Sequence, residues 1–171
     1  MMRLTRLCSA AGAAVLIAAC GGGGGGGTTA TTVTDPTDKY IGIWTNCQPS
    51  VVNNINGSVL IVFTATKIDA THGSFTTTAS GFANASCTPP AVVAPASLPK
   101  LSGTVVIDFP ASGPSGADKI TITHLTIPSS KDIDIALVNG NQLQFGDELS
   151  AKDAQGYPTA LDPSVTLIKQ P

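Results

Sequence analysis

Charge is scarce in this chain. Asp, Glu, Lys and Arg make up 12% of 171 residues, against a usual share of ~25%. Glu148 is the only glutamate, and no arginine follows Arg6. Without a cluster of Lys and Arg there is nothing to displace counterions, so nucleic acid is excluded as a partner. Histidine is limited to His72 and His124, too far apart in sequence for a local pair of metal ligands. Neither a Gly-x-Ser-x-Gly elbow nor a His-Glu-x-x-His pair occurs, which removes the serine-hydrolase and zinc-peptidase signatures. A helical hydrophobic period is missing after Lys39. Disorder is excluded as well, because 42% of residues are hydrophobic and the formal net charge is only -2.

What is present begins with a short basic segment, Met1 to Arg6, carrying Arg3 and Arg6. Leu7 to Ala19 is apolar, but too short for a bilayer core that needs ~20 residues. Basic start, short apolar run and small residues at the end read as a secretory signal over residues 1–19. Ile17-Ala18-Ala19-Cys20 resembles the lipobox of bacterial lipoproteins. The resemblance implies that the Cys20 thiol takes a diacylglycerol group and that cleavage before Cys20 frees an amine for a further acyl chain. Two or more chains anchor stably where one binds marginally. Gly21, rather than Asp, follows the cysteine. In proteobacterial lipoproteins that implies the outer membrane, with the protein periplasmic or surface-exposed.

Gly21 to Gly27 is an unbroken glycine run, followed by a Thr-rich stretch to Asp38. No Lys follows the glycines as a phosphate loop requires. Residues 20–38 read as the lipidated cysteine and a flexible tether, with an end-to-end distance of roughly 24 Å. Loss of Arg3 and Arg6 with the signal leaves seven basic and eleven acidic residues, a net charge of -4.

Residues 39–171 read as one β domain. Tyr40 to Thr45 opens it. Val59, Ile61, Phe63 and Ala65 share one face of Ser58–Ile68, and a Thr-rich strand follows over Ser74–Ala83. Val105, Ile107 and Phe109 share a face of Leu101–Phe109. Ile120 and Ile122 are followed by Leu125 and Ile127, a phase slip at His124 that predicts a bulge. Ile133, Ile135 and Leu137 alternate with Asp132, Asp134 and Ala136; Leu143 and Phe145 alternate next, and Val165 to Lys169 closes the chain. This period of two is the strand signature. Val138-Asn139-Gly140-Asn141 and Asn56-Gly57 are the hairpin-turn candidates, because Asn-Gly tolerates positive φ. Thr88 to Pro99, with four prolines, reads as an extended spacer. About eight strands at meander spacing predict an antiparallel barrel or sandwich. The small residues Ala65, Ala79, Ala83 and Ala136 fit either a cavity or a thin sandwich.

Cys8 leaves with the signal and Cys20 is acylated, so Cys47 and Cys87 remain. In an exported, oxidising setting they are expected to form a disulfide. No cofactor or metal site is expected. Asp147, Glu148, Asp153 and Asp162 gather in the segment Gly146–Pro163 and supply oxygen donors of the kind Ca²⁺ takes, without EF-hand spacing. His72 reads as an exposed turn residue and His124 as a partly buried strand residue. No nucleophile, base or carboxylate pair stands at diagnostic spacing, so the domain is not read as an enzyme.

Gly42-x-Trp44, preceded by Tyr40, is similar to the opening motif of the lipocalins, eight-stranded barrels that hold small apolar ligands. In that family the Trp closes the barrel floor and usually packs under an Arg from late in the chain, which this sequence does not have. Lys169 is the residue here that would take that place. Tyr40-x-Gly42-x-Trp44-x-x-Cys47 and Gly156-Tyr157-Pro158-Thr159-Ala160-Leu161-Asp162 also resemble the two ends of a group of small proteobacterial lipoproteins, a resemblance that implies no function.

Two functional readings follow. In the first, a lipid-tethered barrel binds a small apolar ligand near its mouth, with Trp44 and Tyr157 as contact candidates. In the second, the interior is filled and an edge or loop meets another envelope protein. Eight-stranded barrels accommodate both.

Overall fold

The computed structural model describes residues 35–93, 100–111, 113–126 and 130–171. The signal segment, Cys20 and the tether up to residue 34 lie outside these, as do residues 94–99 of the Pro-rich spacer and Ile127. A 3-10 turn, Asp38–Tyr40, leads into eight strands. They are β1 (Gly42–Val52), β2 (Ile55–Lys67), β3 (His72–Phe82), β4 (Leu101–Pro110), β5 (Asp118–His124), β6 (Lys131–Asn139), β7 (Gln142–Gly146) and β8 (Leu161–Lys169). Each strand pairs antiparallel with the next, and β1 pairs with β8. The sheet is therefore a closed barrel, not a sandwich.

Up-and-down order places the 3-10 turn, the β2–β3, β4–β5 and β6–β7 turns and the chain's exit at one end, called the floor below. The other connections surround the mouth.

Alternation puts Phe63 and Ala65 of β2, Val105 and Ile107 of β4 and Ile120 and Ile122 of β5 inside, as their spacing predicts. Trp44 is 0% exposed and forms a core with Tyr40, Ile107, Ile120, Ala136, Leu143 and Leu167. Its indole N–H donates to the Tyr40 carbonyl at 2.8 Å. The Lys169 ammonium lies 5.0 Å from the ring centroid. Gly42 makes room for this: its φ is +131°, and a Cβ there would meet Lys169 Cε at 3.0 Å. The Gly-x-Trp spacing thus has a local cause, with glycine clearing the path of the lysine stem that covers the indole. The Tyr40 hydroxyl faces the Asp118 carboxylate at 2.9 Å and the Ala136 carbonyl at 3.0 Å. Burial, then the Asp118 charge, pushes its ionisation well above the ordinary tyrosine range.

Four local expectations are corrected. The first hairpin turns at Asn53 and Asn54, both with positive φ (51° and 63°), while Asn56 and Gly57 lie inside β2. Gly57 is needed there for close approach, since a Cβ would sit 2.0 Å from the Phe82 carbonyl oxygen. The second turn is shifted by one residue: Asn139 pairs with Gln142, leaving Gly140 and Asn141 as the central pair. Positive φ occurs at Gly140, the requirement of a type II′ turn. The bulge is not at His124. It lies in β4 between Ile107 and Phe109, and β5 ends at His124 with its alternation intact, Leu125 turning out into solvent. The last correction concerns β6. Hydrophobicity alone would turn Ile133, Ile135 and Leu137 inward, yet Asp134 and Ala136 line the interior.

That inversion is explained by the 147–160 connection, which lies against the outside of the wall. Ile135 is 0% exposed although it points outward. A Cβ at Gly156 would lie 3.1 Å from Ile133 Cδ1, and one at Gly116 would lie 3.5 Å from Leu137 Cδ1. The outer apolar stripe of β6 is thus partly covered by loops, with Ile135 fully buried and Ile133 still exposed. Beside it, Lys119 is buried and bonds Asp153 Oδ2 and Gln155 Oε1, each at 2.5 Å. Its ammonium lies 4.8 Å from the centre of the Tyr157 ring. That bond, then the N–H groups of Gln155 and Tyr157, hold the Asp153 carboxyl down at about 2.

The disulfide is present. Cys47 on β1 and Cys87 beyond β3 are bonded with Cα atoms 6.1 Å apart. Ser58 secures the same corner, donating to the Asn84 carbonyl and accepting from the Cys87 N–H.

Candidate functional site

Inward side chains do not fill the barrel. A cavity of about 300 Å³ remains, walled by Ile61, Phe63, Ala65, Phe75, Val105, Ile107, Ile120, Ile122, Leu143, Phe145, Val165 and Leu167. Ala65 and Ala136 are among its lining residues, so two of the four small residues do leave space; Ala79 and Ala83 do not border it. Gly103 also shapes the cavity. A Cβ there would meet the Phe75 ring at 2.7 Å, so its absence lets that ring lie against the wall. Phe75 stacks on Phe63, with centroids 5.6 Å apart, and Phe145 meets Phe63 edge-on at 5.9 Å. Such a volume stands at the small end of ligand pockets, which run from about 300 to 1,000 Å³.

The polar groups are few and uneven. Thr37, Tyr40, Thr66 and Thr77 border the cavity at separate points. On the β5–β6 wall stand His124 and Asp134, with Asp132 at the rim. His124 Nε2 is 3.0 Å from Asp132 Oδ2. The imidazole meets the Phe75 ring edge-on at 6.0 Å. Its Nδ1 is buried and has no hydrogen-bond partner among the described residues. Asp134 Oδ1 accepts the N–H groups of Ile135 at 2.7 Å and Gly146 at 3.0 Å. Burial pushes its carboxyl up to about 6, with the two N–H bonds opposing and nearby Glu148 adding to the rise.

The residues singled out from sequence separate. Trp44 belongs to the core at the floor and does not itself border the cavity. Tyr157 is 8% exposed, but on the outside of the barrel: its hydroxyl donates to Asp108 Oδ2 at 3.2 Å, beside Thr121. The expectation that it meets a ligand at the mouth is not met by this placement, because the 147–160 connection folds back along the wall. The acidic residues of that connection do not converge. Asp153 binds Lys119, Asp147 Oδ1 accepts the Leu149 N–H and Asp162 Oδ1 accepts the Ser164 N–H. Among the described residues no three acidic, His or Cys side chains are grouped for a metal ion. His72, expected as an exposed turn residue, is instead the first residue of β3, half-exposed beside the β2–β3 turn with Nδ1 2.8 Å from Asp69 Oδ1.

His124 was legible in sequence only as a partly buried strand residue, and Asp134 as an outward one, so their shared polar strip was not. The available signal was a histidine two residues beyond Ile122, in phase with the core. No helix among the described residues is long and apolar enough to cross a membrane. No protein-family model, curated protein or solved structure matches the chain.

Proposed function

We propose that the chain is a cell-envelope lipoprotein, anchored through Cys20, whose barrel binds a small apolar ligand without covalent chemistry. The cavity carries this reading: about 300 Å³ of space lined mostly by Ile, Val, Leu and Phe. An apolar guest gains by leaving water for such a lining, at ~25 cal/mol per Å² of surface removed from water. The Lys169–Trp44 stack beside Gly42 supports a lipocalin-like floor, and the lipobox supports an outer-membrane position facing the periplasm or the surface.

Titration of the purified protein with medium-chain apolar compounds, followed by calorimetry and thermal melting, tests the binding reading. A saturable heat and a rise in melting temperature are expected; neither appearing with any compound overturns it. For the anchor, Cys20→Ala is expected to abolish incorporation of labelled fatty acid. Equal labelling of both forms overturns that part.

A second reading has an observation of its own. Val51 and Ile55, at the strand ends of the first hairpin, and Leu125 and Leu149, on connections of the mouth end, are exposed, and such a rim suits a protein partner. Co-purification of a defined envelope protein, lost on Leu125→Ser, with no ligand heat, would favour it.

A further inference from the structure

We propose that the ligand is an uncharged hydrocarbon of about ten carbons, taken in whole, and not the acyl chain of a fatty acid or phospholipid. This rests on the binding reading above and narrows it to a chemical class.

Size comes from the cavity. About 300 Å³, at ~30 Å³ for each methylene-sized group, holds about ten of them. A membrane-lipid chain of about sixteen carbons would need about 480 Å³ on the same scale.

That the guest has no polar head follows from how the polar side chains around the cavity are used. Thr37 donates its hydroxyl to the Asp69 and Ala70 carbonyls. The Tyr40 hydroxyl is engaged by the Asp118 carboxylate and the Ala136 carbonyl. Thr66 Oγ1 pairs with Ser74 Oγ at 2.7 Å. His124 turns Nε2 to Asp132, and its Nδ1 has no surface that a guest atom reaches. Asp134 Oδ1 accepts two backbone N–H groups. What remains is Thr77 on β3 and the second oxygen of Asp134 on β6, three strands apart around the ring. A site for a polar head places its few polar groups together, and these stand on separate walls.

Each kind of head then fails for its own reason. Among the described residues no Lys or Arg borders the cavity, so a carboxylate or phosphate enters without a counter-charge and beside Asp134. A hydroxyl gives up its water and meets no built partner, which is costly. An ammonium has Asp134 alone to meet, a carboxylate already bonded by two N–H groups. A hydrocarbon loses nothing of this kind, and the clustered rings of Phe63, Phe75 and Phe145 give it surface to touch.

Calorimetric titration of the purified protein at neutral pH tests this with probes of matched size: butylbenzene, phenylpropanol, phenylpropylamine and phenylpropanoate. Butylbenzene is expected to bind roughly tenfold or more tightly than each of the others, the scale of burying an unpaired polar group. A head left in water at the mouth would narrow the gap to about fourfold, the worth of one methylene. Length is tested with ethylbenzene and hexylbenzene. Affinity should climb about fourfold per methylene from ethylbenzene to butylbenzene and then level off. A gap of about fourfold or less to any headed probe, on that scale, overturns the inference and leaves the apolar site standing. So does a climb that continues undiminished to hexylbenzene. Nuclear magnetic resonance places the guest: the ring signals of Phe63, Phe75 and Phe145 should move with butylbenzene. Binding that leaves those rings unmoved lies outside the cavity and overturns both readings, as does the absence of binding by every probe.

Discussion

Replacing Asp134 with asparagine should stabilise the barrel at neutral pH, and the pH at which the gain appears is set by the site. Asp134 faces the cavity half-buried, and burial raises its carboxyl to about 6 from 3.8. A carboxylate whose folded-state value lies above its unfolded one binds its proton more tightly in the native state. Stability is then highest below about pH 4 and falls as pH rises through about 6, where ionisation is forced on the folded chain. Two units at 1.36 kcal/mol each give about 3 kcal/mol, a ceiling because solvent reaches part of the group. The amide introduced by Asp134→Asn cannot ionise and keeps an oxygen for the Ile135 and Gly146 N–H groups. Urea unfolding of both forms between pH 4 and 7.5 provides the assay. The variant should match the parent near pH 4 and exceed it by about 1–3 kcal/mol above pH 6.5, on the scale just derived. Asp69 and Asp153, each held down at about 2, contribute stability present above about pH 4 and lost as pH falls toward 2. They are common to both forms and cancel in the difference. A difference independent of pH, or a variant less stable at pH 7, refutes the argument.

Trp44→Ala removes the largest fully buried side chain and should cost about 3–5 kcal/mol; a loss under about 0.5 kcal/mol in denaturant melts would show that the floor does not depend on it. Replacing both Cys47 and Cys87 with Ser opens a closure across a sequence separation of 40 and should cost about 4 kcal/mol by the chain-entropy argument; unchanged urea midpoints would contradict this. Lys119→Met removes the buried ammonium that Asp153 and Gln155 bind and should release the 147–160 connection from the wall. Limited proteolysis should then cut within residues 147–160 at least tenfold faster, with the barrel still folded; equal cutting rates would refute that role.

Strand identity was legible wherever one face looks inward and the other at water. β2 and β4 satisfy this, and Phe63 and Val105 sit where alternation puts them; β5 stayed legible, with Ile120 inside, because its buried outer residues Lys119 and Thr121 are polar. β6 fails it because part of its outer face, at Ile135, is also buried. Gly156, more than twenty positions later, packs beside Ile133, and Ile135 is fully buried, a tertiary arrangement that no local pattern announces. The same arrangement hid the true place of Tyr157: an aromatic beside a proline in a long connection looks like a free surface until the connection is seen pressed on Lys119. Turn frames were blurred for another reason. Asn-Gly is the stronger signal for positive φ, so Asn56-Gly57 outweighed Asn53-Asn54, though asparagine also tolerates that region. At the candidate site, alternation gave His124 a partly buried place and turned Asp134 outward. Their meeting on one wall depends on β5–β6 register, which pairs Ile122 with Asp132.

The contact of β1 with β8 has a consequence for how the molecule comes into being. It rests on two residue pairs, Trp44 with Lys169 and Thr45 with Ile168, and joins positions more than 120 residues apart. Every other strand pairing is between sequence neighbours. Seven pairings can therefore assemble as an open ribbon, and the last act is ring closure, the slow kind of contact. Until then both outer strands are unpaired edges, open to pairing with another chain. The trough that becomes the cavity is still exposed to water. Because Trp44 stands at the seam, its sequestration marks that moment, and a stopped-flow trace of its fluorescence should lag the appearance of β-sheet circular dichroism. A sheet can thus form without a binding site, and the site is completed by the final strand.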